Sequence, residues 1–173
     1  MTERKGVTTF KGDPLTLIGP ELSPGQAAPD ATAVGNDLKP VSIKDFRGKV
    51  LVLVTVPSLD TSVCDTEARR FNEAAAGLGK DVEIVVVSMD LPFAQKRWCA
   101  AAGVDRVRTL SDHRDAAVGN AYGILIKELR LLARTVFVID REGTIRYVQR
   151  VKEMTHEPDY DAVLEAMHKT AGK

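Results

Sequence analysis

The chain has 173 residues, of which 44% are hydrophobic, so it is long enough to bury the core of one domain, and we expect residues 1–173 to form a single domain. Its 24 Lys and Arg residues balance its 24 Asp and Glu residues, which argues against nucleic acid or an anionic membrane as a partner. Met1–Gly6 lacks an apolar signal core and no apolar stretch approaches membrane-spanning length, so the sequence predicts a cytoplasmic location, where a disulfide is more often catalytic than structural.

The first part of the chain alternates short strands with turns and then reaches one long aliphatic run. The pattern predicts an N-terminal hairpin, an extended loop and two short strands, at residues 7–10 with 15–18, at 22–30, and at 31–34 with 40–43. Residues 50–56 are almost entirely β-branched or aliphatic. Such a run is typical of a central strand that is covered on both faces.

A helix is expected directly after this strand. Residues 65–77 contain strong helix formers with acidic side chains early, and Gly77 is a plausible C-terminal cap. A second strand follows at residues 82–88. The strand, helix and strand form a βαβ unit, whose right-handed crossover places the helix on one face of the sheet.

The rest of the chain predicts four further elements and one hairpin. A helix at residues 91–103 is opened by Pro92 and closed by Gly103. The remaining elements are a short strand at 107–110, a helix at 116–122, a hairpin at 135–140 with 144–149, and a closing amphipathic helix at 160–169.

Cys64 lies where the central strand passes into the first helix. Asp60, Thr61 or Ser62 can cap that helix, and Cys64 then falls near its first turn. Unpaired backbone N–H groups and the positive end of the helix dipole favour an anion there, and therefore the thiolate form of the cysteine. The alternative is a structural cysteine that fills a gap beside the strand.

The second cysteine, Cys99, lies on a different helix from Cys64. This separation excludes a C-x-x-C redox motif, and two thiols without a nearby His or Cys pair make a poor zinc site, so we predict no metal and no cofactor. The three histidines have no metal-ligand spacing and are typical of surface or loop positions; they are His113, His156 and His168. The cysteines are either two unrelated buried thiols or a pair that can meet, for which a disulfide needs Cβ atoms about 4 Å apart.

Three residues around the first cysteine carry a family resemblance. Pro57, Thr61 and Cys64 reproduce the P-x-x-x-T-x-x-C motif of peroxiredoxins, and the run S-L-D-T-S-V-C resembles the thiol peroxidase subfamily, the atypical two-cysteine peroxiredoxins. Three more segments resemble that subfamily, at residues 90–99, 133–140 and 157–160. Ser62 stands where many peroxiredoxins have proline, which alters how stiffly the active-site loop is held.

The resemblance implies a thioredoxin-like α/β fold, with a central mixed sheet flanked by helices and an N-terminal β-hairpin. It also implies a homodimer that reduces hydrogen peroxide or organic hydroperoxides. Cys64 would attack the peroxide and become a sulfenic acid, and Cys99 would resolve it as an intrachain disulfide. The sulfurs would start apart and meet when both helices locally unravel. Thioredoxin would then reduce the bond through a mixed disulfide.

Three other residues gain a role from the same resemblance. Thr61 would orient the peroxide, Arg134 would hold thiolate and peroxide with its planar fork of donors, and Pro57 would shield the sulfur. Each has a simpler interpretation from the residues alone. Thr61 could only cap a helix, Arg134 could be a solvated charge at a strand start, and Pro57 could simply end a strand.

Two other functions remain open from the sequence. The cysteine pair could belong to a redox sensor that changes partners without turnover, or the chain could be a non-catalytic binding module. Thr61 and Arg134 favour catalysis, because a sensor needs the thiol pair but not a peroxide-orienting pocket. The apolar runs at residues 124–126 and 129–132 could be core, dimer interface or the lining of a pocket for longer alkyl hydroperoxides, and core plus interface is the favoured interpretation.

Overall fold

Two β-sheets and four α-helices organise the computed structural model, which describes residues 1–172. The strands are β1 (Glu3–Phe10), β2 (Asp13–Ile18), β3 (Thr32–Val34), β4 (Pro40–Ser42), β5 (Val50–Thr55), β6 (Val82–Ser88), β7 (Arg108–Ser111), β8 (Leu125–Ile126), β9 (Thr135–Ile139) and β10 (Ile145–Arg150). The helices are α1 (Ser62–Ala75), α2 (Pro92–Ala102), α3 (Ala117–Ala121) and α4 (Tyr160–Ala171), with a short 3₁₀ helix at Ile43–Phe46.

The larger sheet has seven strands in the order β10-β9-β5-β6-β7-β3-β4. Its three central strands, β5, β6 and β7, are parallel, and β9 joins β5 in antiparallel register. The three-stranded sheet has the order β1-β2-β8 and contains the N-terminal hairpin. The predicted thioredoxin-like α/β fold with a mixed sheet and an N-terminal β-hairpin is therefore confirmed.

Both faces of the central strand β5 are buried, as its continuous apolar run predicts. Val52 and Val54 point to one face, where they pack with Cys64, Phe71 and other residues of α1 and α4. The alternate residues of β5 point to the opposite face and pack against the N-terminal hairpin and the segment around α3. The right-handed crossover thus places α1, with Cys64 on it, against one face of the sheet.

Helix α1 agrees with its prediction at the N-terminus and differs at the C-terminus. It begins at Ser62, because the extended backbone of Thr61 and its side chain provide the N-cap, as one of the three predicted candidates. It ends at Ala75, and the right-handed Ala76 occupies the C-cap position, so the predicted cap at Gly77 is wrong. In α2 the prediction is confirmed, since Gly103 caps the helix in the left-handed region with φ of 66°.

Strand β8 was not predicted, because two residues are too few to show an alternating pattern. It pairs with β2 through Leu17 with Ile126 and Ile18 with Leu125. Ile124, Leu125 and Ile126 are at most 1% exposed, and so they belong to the core rather than to a substrate pocket. The predicted strand residue Ile43 instead begins the 3₁₀ helix, whose N-terminus Ser42 caps with a capping box.

Among residues 1–172, no helix is both long enough and apolar enough to cross a bilayer.

Candidate active site

Cys64 lies in the first turn of α1 and is fully buried. Its backbone N–H donates to Oγ1 of Thr61 at 3.3 Å, and the Thr61 hydroxyl donates to the Ser58 carbonyl at 3.0 Å. The helix-cap interpretation of Thr61 is therefore realised in this structure. Its side chain is exposed, so the hydroxyl remains close to solvent at the start of the helix that carries the cysteine.

The guanidinium of Arg134 contacts the sulfur directly. Arg134 Nη1 lies 3.3 Å from Cys64 Sγ, and the arginine is only 2% exposed. The pairing of Thr55 with Thr135 explains this meeting, because it places the residue before β9 beside the end of β5, where the loop to Cys64 begins. Arg134 is thus not a solvated surface charge.

The loop that follows β10 holds the other edge of the Arg134 guanidinium. Arg134 Nε and Nη2 donate to the Met154 carbonyl oxygen at 3.3 and 2.8 Å. A fork that donates twice to one oxygen has little freedom to rotate. The orientation of Arg134 toward Cys64 therefore depends on where the Met154 carbonyl lies.

Glu67 is a site residue that the sequence analysis missed. It is fully buried, its Oε2 accepts from Arg134 Nη1, and its Oε1 has no hydrogen-bond partner among the described residues. Burial raises the pKa of Glu67 to about 7, although the charge of Arg134 opposes the rise. The spacing along the sequence could have indicated this residue. Cys64, Glu67, Ala68 and Phe71 lie on one buried face of α1, and Glu67 is the one carboxylate on that face.

Asp90 fixes the loop that precedes the cysteine. Its Oδ1 accepts from the Ser58 hydroxyl at 2.7 Å, and its Oδ2 accepts from the Leu59 amide at 2.8 Å. The Ser88 hydroxyl at the end of β6 also donates to Oδ2 at 2.7 Å. Pro57 lies buried at the start of this loop, where its lack of an N–H group costs no strand hydrogen bond.

Cys99 lies on α2 and makes contacts of its own. Its Sγ lies 3.6 Å from Oγ1 of Thr109 on β7, and burial raises the pKa of the Cys99 thiol. Thr109 in turn donates to Asn36 Oδ1 at 3.1 Å. Both cysteines are free thiols with separate partners, so the structure does not bring Cys64 and Cys99 together. A bond between them requires rearrangement of α1, α2 or both.

A surface groove of about 400 Å³ lies beside the start of α1. Ser62, Val63 and Thr66 line one side of it, and Thr155, His156 and Glu157 line the other. The groove adjoins the two residues that precede Cys64. Because Cys64 itself is fully buried, a reagent that reaches its sulfur must displace part of this cover.

Comparisons with known proteins agree with this geometry. Residues 23–164 match the family model described as Redoxin. The chain is 55% identical over 158 residues to the "Thiol peroxidase" of Halalkalibacterium halodurans, covering 91% of this chain and 95% of that protein. It is 54% identical over 158 residues to the "Thiol peroxidase" of Bacillus subtilis, covering 91% of this chain and 94% of that protein.

Solved structures resemble the whole fold. The peroxiredoxin-like protein from Aquifex aeolicus superposes with a TM-score of 0.90 at 45% identity, covering 95% of this chain and 97% of that one. The thiol peroxidase from Chromobacterium violaceum has a TM-score of 0.84 at 18% identity, covering 95% and 97% of the two chains, and this likeness shows the fold alone.

Proposed function

This chain belongs to the redoxin family and is a peroxiredoxin-type thiol peroxidase, and we propose that Cys64 is its peroxidatic cysteine, with Arg134, Thr61 and Pro57 forming the peroxide site. The observation that carries the assignment is the buried contact of 3.3 Å between Arg134 Nη1 and Cys64 Sγ. A guanidinium in contact with the sulfur is placed to stabilise the negative charge that the attacking group carries during peroxide reduction. Cys99, whose Sγ lies 3.6 Å from Oγ1 of Thr109, is the proposed resolving thiol.

The chemical step is a displacement at oxygen. The Cys64 thiolate attacks one peroxide oxygen, a sulfur–oxygen bond forms and the oxygen–oxygen bond breaks. The leaving oxygen takes a proton and departs as water or as an alcohol, and Cys64 becomes a sulfenic acid. Arg134 stabilises the negative charge, which spreads from sulfur to the leaving oxygen in the transition state.

Thr61 and Pro57 have supporting roles in this site. The Thr61 hydroxyl, which donates to the Ser58 carbonyl in the structure, rotates to donate to or accept from the incoming peroxide. Its side chain still accepts from the Cys64 amide and so keeps the helix start in place. Pro57, buried beside the sulfur-bearing loop, excludes water and holds the loop rigid.

Resolution follows in the same chain. The Cys99 thiol attacks the sulfenic sulfur of Cys64, a disulfide forms, and the hydroxyl of the sulfenic acid leaves as water after taking a proton. Thioredoxin is the proposed reductant, since its dithiol returns both cysteines to thiols and becomes a disulfide itself. A homodimer remains a prediction of the family resemblance, and a cytoplasmic location remains a prediction from the sequence.

Peroxide consumption tests the function directly. Purified protein with thioredoxin, its reductase and NADPH should consume hydrogen peroxide through many turnovers, followed as loss of NADPH absorbance. The same assay with cumene hydroperoxide in place of hydrogen peroxide tests whether the protein accepts a bulkier peroxide. One stoichiometric oxidation followed by arrest would instead support the redox sensor, and no reaction of either cysteine would support the binding module.

A further inference from the structure

The N-terminal hairpin reaches the active site through one carboxylate, that of Glu153. The two-residue turn between β1 and β2 has positive φ angles at Lys11 and Gly12, 50° and 86°, which turns both amides to the same side. These amides donate to the Glu153 carboxylate at 2.8 and 3.1 Å. The Thr9 hydroxyl donates to it at 2.6 Å and the Thr155 hydroxyl at 3.0 Å.

The Thr155 amide also donates to the Glu153 carboxylate at 3.3 Å, so this carboxylate has five donors although it lies on the surface. The hydrogen bond from Thr9, reinforced by the amides of Gly12 and Lys11, lowers the pKa of Glu153 to about 2. A carboxylate that only solvated the surface would have no such set of partners. The arrangement fixes residue 153 to the tip of the hairpin.

The backbone on both sides of Glu153 is held by the same hairpin. The Thr9 amide donates to the Lys152 carbonyl at 2.7 Å, and the Met154 amide donates to the Thr9 carbonyl at 2.9 Å. The Thr8 hydroxyl adds a bond of 2.9 Å to the Lys152 carbonyl. The end of β1 therefore fixes the amide of Met154, the residue that follows Glu153, and the same residue carries the Met154 carbonyl.

This carbonyl is the one that accepts both Nε and Nη2 of Arg134. A continuous chain of contacts then runs from the hairpin turn through Glu153 and Met154 to Arg134, and ends at Cys64 Sγ. Each step is a hydrogen bond or one covalent peptide unit. Displacement of the hairpin tip would move the acceptor that aims the guanidinium.

We propose that Glu153 is a positioning residue for peroxide reduction. It holds the N-terminal hairpin against the loop after β10 that contains Met154, and so directs Arg134 toward Cys64. The proposal rests on the function proposed above. It gives the N-terminal hairpin, which lies outside the central sheet, a role in the chemistry. Glu153 itself does not touch the sulfur.

The test is the rate at which reduced protein loses its Cys64 thiol to hydrogen peroxide, measured by quenched flow, alkylation and intact mass spectrometry. Glu153→Gln removes the charge and should slow Cys64 oxidation about tenfold. This is a smaller effect than loss of the Arg134 donor itself. Glu153→Asp, which keeps the charge, should recover part of the rate. Glu165→Gln on the exposed side of α4 is the matched control and should stay within about twofold of wild type.

A double-mutant cycle separates positioning from a general structural role. In an Arg134→Ala background, Glu153→Gln should change the rate by less than about twofold, because the residue it acts through is gone. A tenfold loss in both backgrounds would contradict the route through Arg134 and would place the effect in the groove wall formed by Thr155 to Glu157. A Glu153→Gln rate equal to that of the control would also overturn the proposal.

Thr9→Val provides a second route if Glu153→Gln fails to fold. It removes one hydroxyl donor to Glu153 and keeps the backbone bonds of residue 9. It should slow oxidation in the same direction and by about threefold, the effect of one hydrogen bond of under 1 kcal/mol. A wild-type Cys64 that did not react with peroxide would contradict the proposed function itself, whereas a reactive wild type with unchanged variants contradicts only this inference.

Discussion

The indole Nε1 of Trp98 donates a hydrogen bond of 2.8 Å to Oδ1 of Asp65, so the residue before Cys99 is held by the residue after Cys64. Arg69 extends the contact, because its Nε donates to Oδ2 of Asp65 at 2.9 Å and its Nη1 donates to a carbonyl of α2. This Asp65–Trp98 link ties the first turn of α1 to α2. It must break when the two sulfurs leave their separate partners and meet.

The fluorescence of Trp98 should therefore report disulfide formation. It is the only tryptophan of the chain, and loss of its carboxylate partner changes the exposure and quenching of the indole. One equivalent of peroxide should shift its emission in step with the loss of two thiols. The product should remain a monomer on non-reducing gels. A bond between Cys64 residues of two chains, with Cys99 free and emission unchanged, would contradict the intrachain mechanism.

Weakening the Asp65–Trp98 link should accelerate resolution. Trp98→Phe keeps an aromatic ring and removes the N–H donor, at a cost of about 1 kcal/mol to the folded arrangement, so disulfide formation should become about fivefold faster. Less Cys64 should then reach sulfinic acid at high peroxide, which mass spectrometry can quantify. Arg70→Lys, a conservative exposed change on α1, serves as the control. An unchanged ratio of disulfide to sulfinic acid would show that this link does not limit the rearrangement.

The two cysteines should behave differently when each is replaced. Cys64→Ser should abolish peroxide consumption, because no other residue supplies the attacking thiolate. Cys99→Ser should allow about one turnover and leave Cys64 as sulfenic acid or a more oxidised species. Alkylation and mass spectrometry after a single addition of peroxide distinguish the two variants. Near-normal thioredoxin-dependent activity in Cys64→Ser would refute the role assignment.

Loss of the Arg134 guanidinium should slow the oxidation step itself. Arg134→Ala should reduce the rate of Cys64 oxidation about a hundredfold or more, the scale of one transition-state donor. Arg134→Lys should recover only part, because an ammonium cannot reach Cys64 and the Met154 carbonyl with the geometry of the fork. Stopped-flow measurements on reduced protein decide the matter. A loss of less than about threefold in Arg134→Ala would show that the contact with sulfur has no catalytic consequence.

Local sequence signals predicted the segment that carries Cys64 and failed where contacts are long-range. The aliphatic run of β5 and the helix formers after it are local patterns of neighbouring residues. The sequence therefore predicted the strand and the helix, and it included Thr61 among three candidate caps. The choice of Thr61 among the three candidate caps needed the structure, because Ser62 and Cys64 are weak helix formers and only the capping geometry shows where the helix begins.

The contacts of the site needed the folded chain. Residue type and family resemblance indicated Arg134, but its contact with Cys64 depends on the antiparallel register of β5 and β9. Glu67 was overlooked because a helical glutamate normally faces solvent, and its burial is tolerated only beside Arg134. The direction of the Cys99 thiol toward Thr109 likewise depends on the packing of α2 against β7, which spacing along the sequence does not encode.

Glu67 should make the stability of the reduced protein depend on pH. Burial raises its pKa from a usual value near 4.5 to about 7, so between these values the folded protein holds a proton that the unfolded chain has lost. The stabilising contribution of Glu67 to the free energy of unfolding is therefore fully present below pH 4.5 and is lost as the pH rises through about 7. Glu67→Gln does not titrate, and its amide oxygen can still accept from Arg134. Urea unfolding across this pH range should show wild type losing up to about 3 kcal/mol relative to Glu67→Gln. The exposed Glu165→Gln variant should follow the wild-type profile, and parallel profiles for wild type and Glu67→Gln would show that Glu67 is ionised throughout.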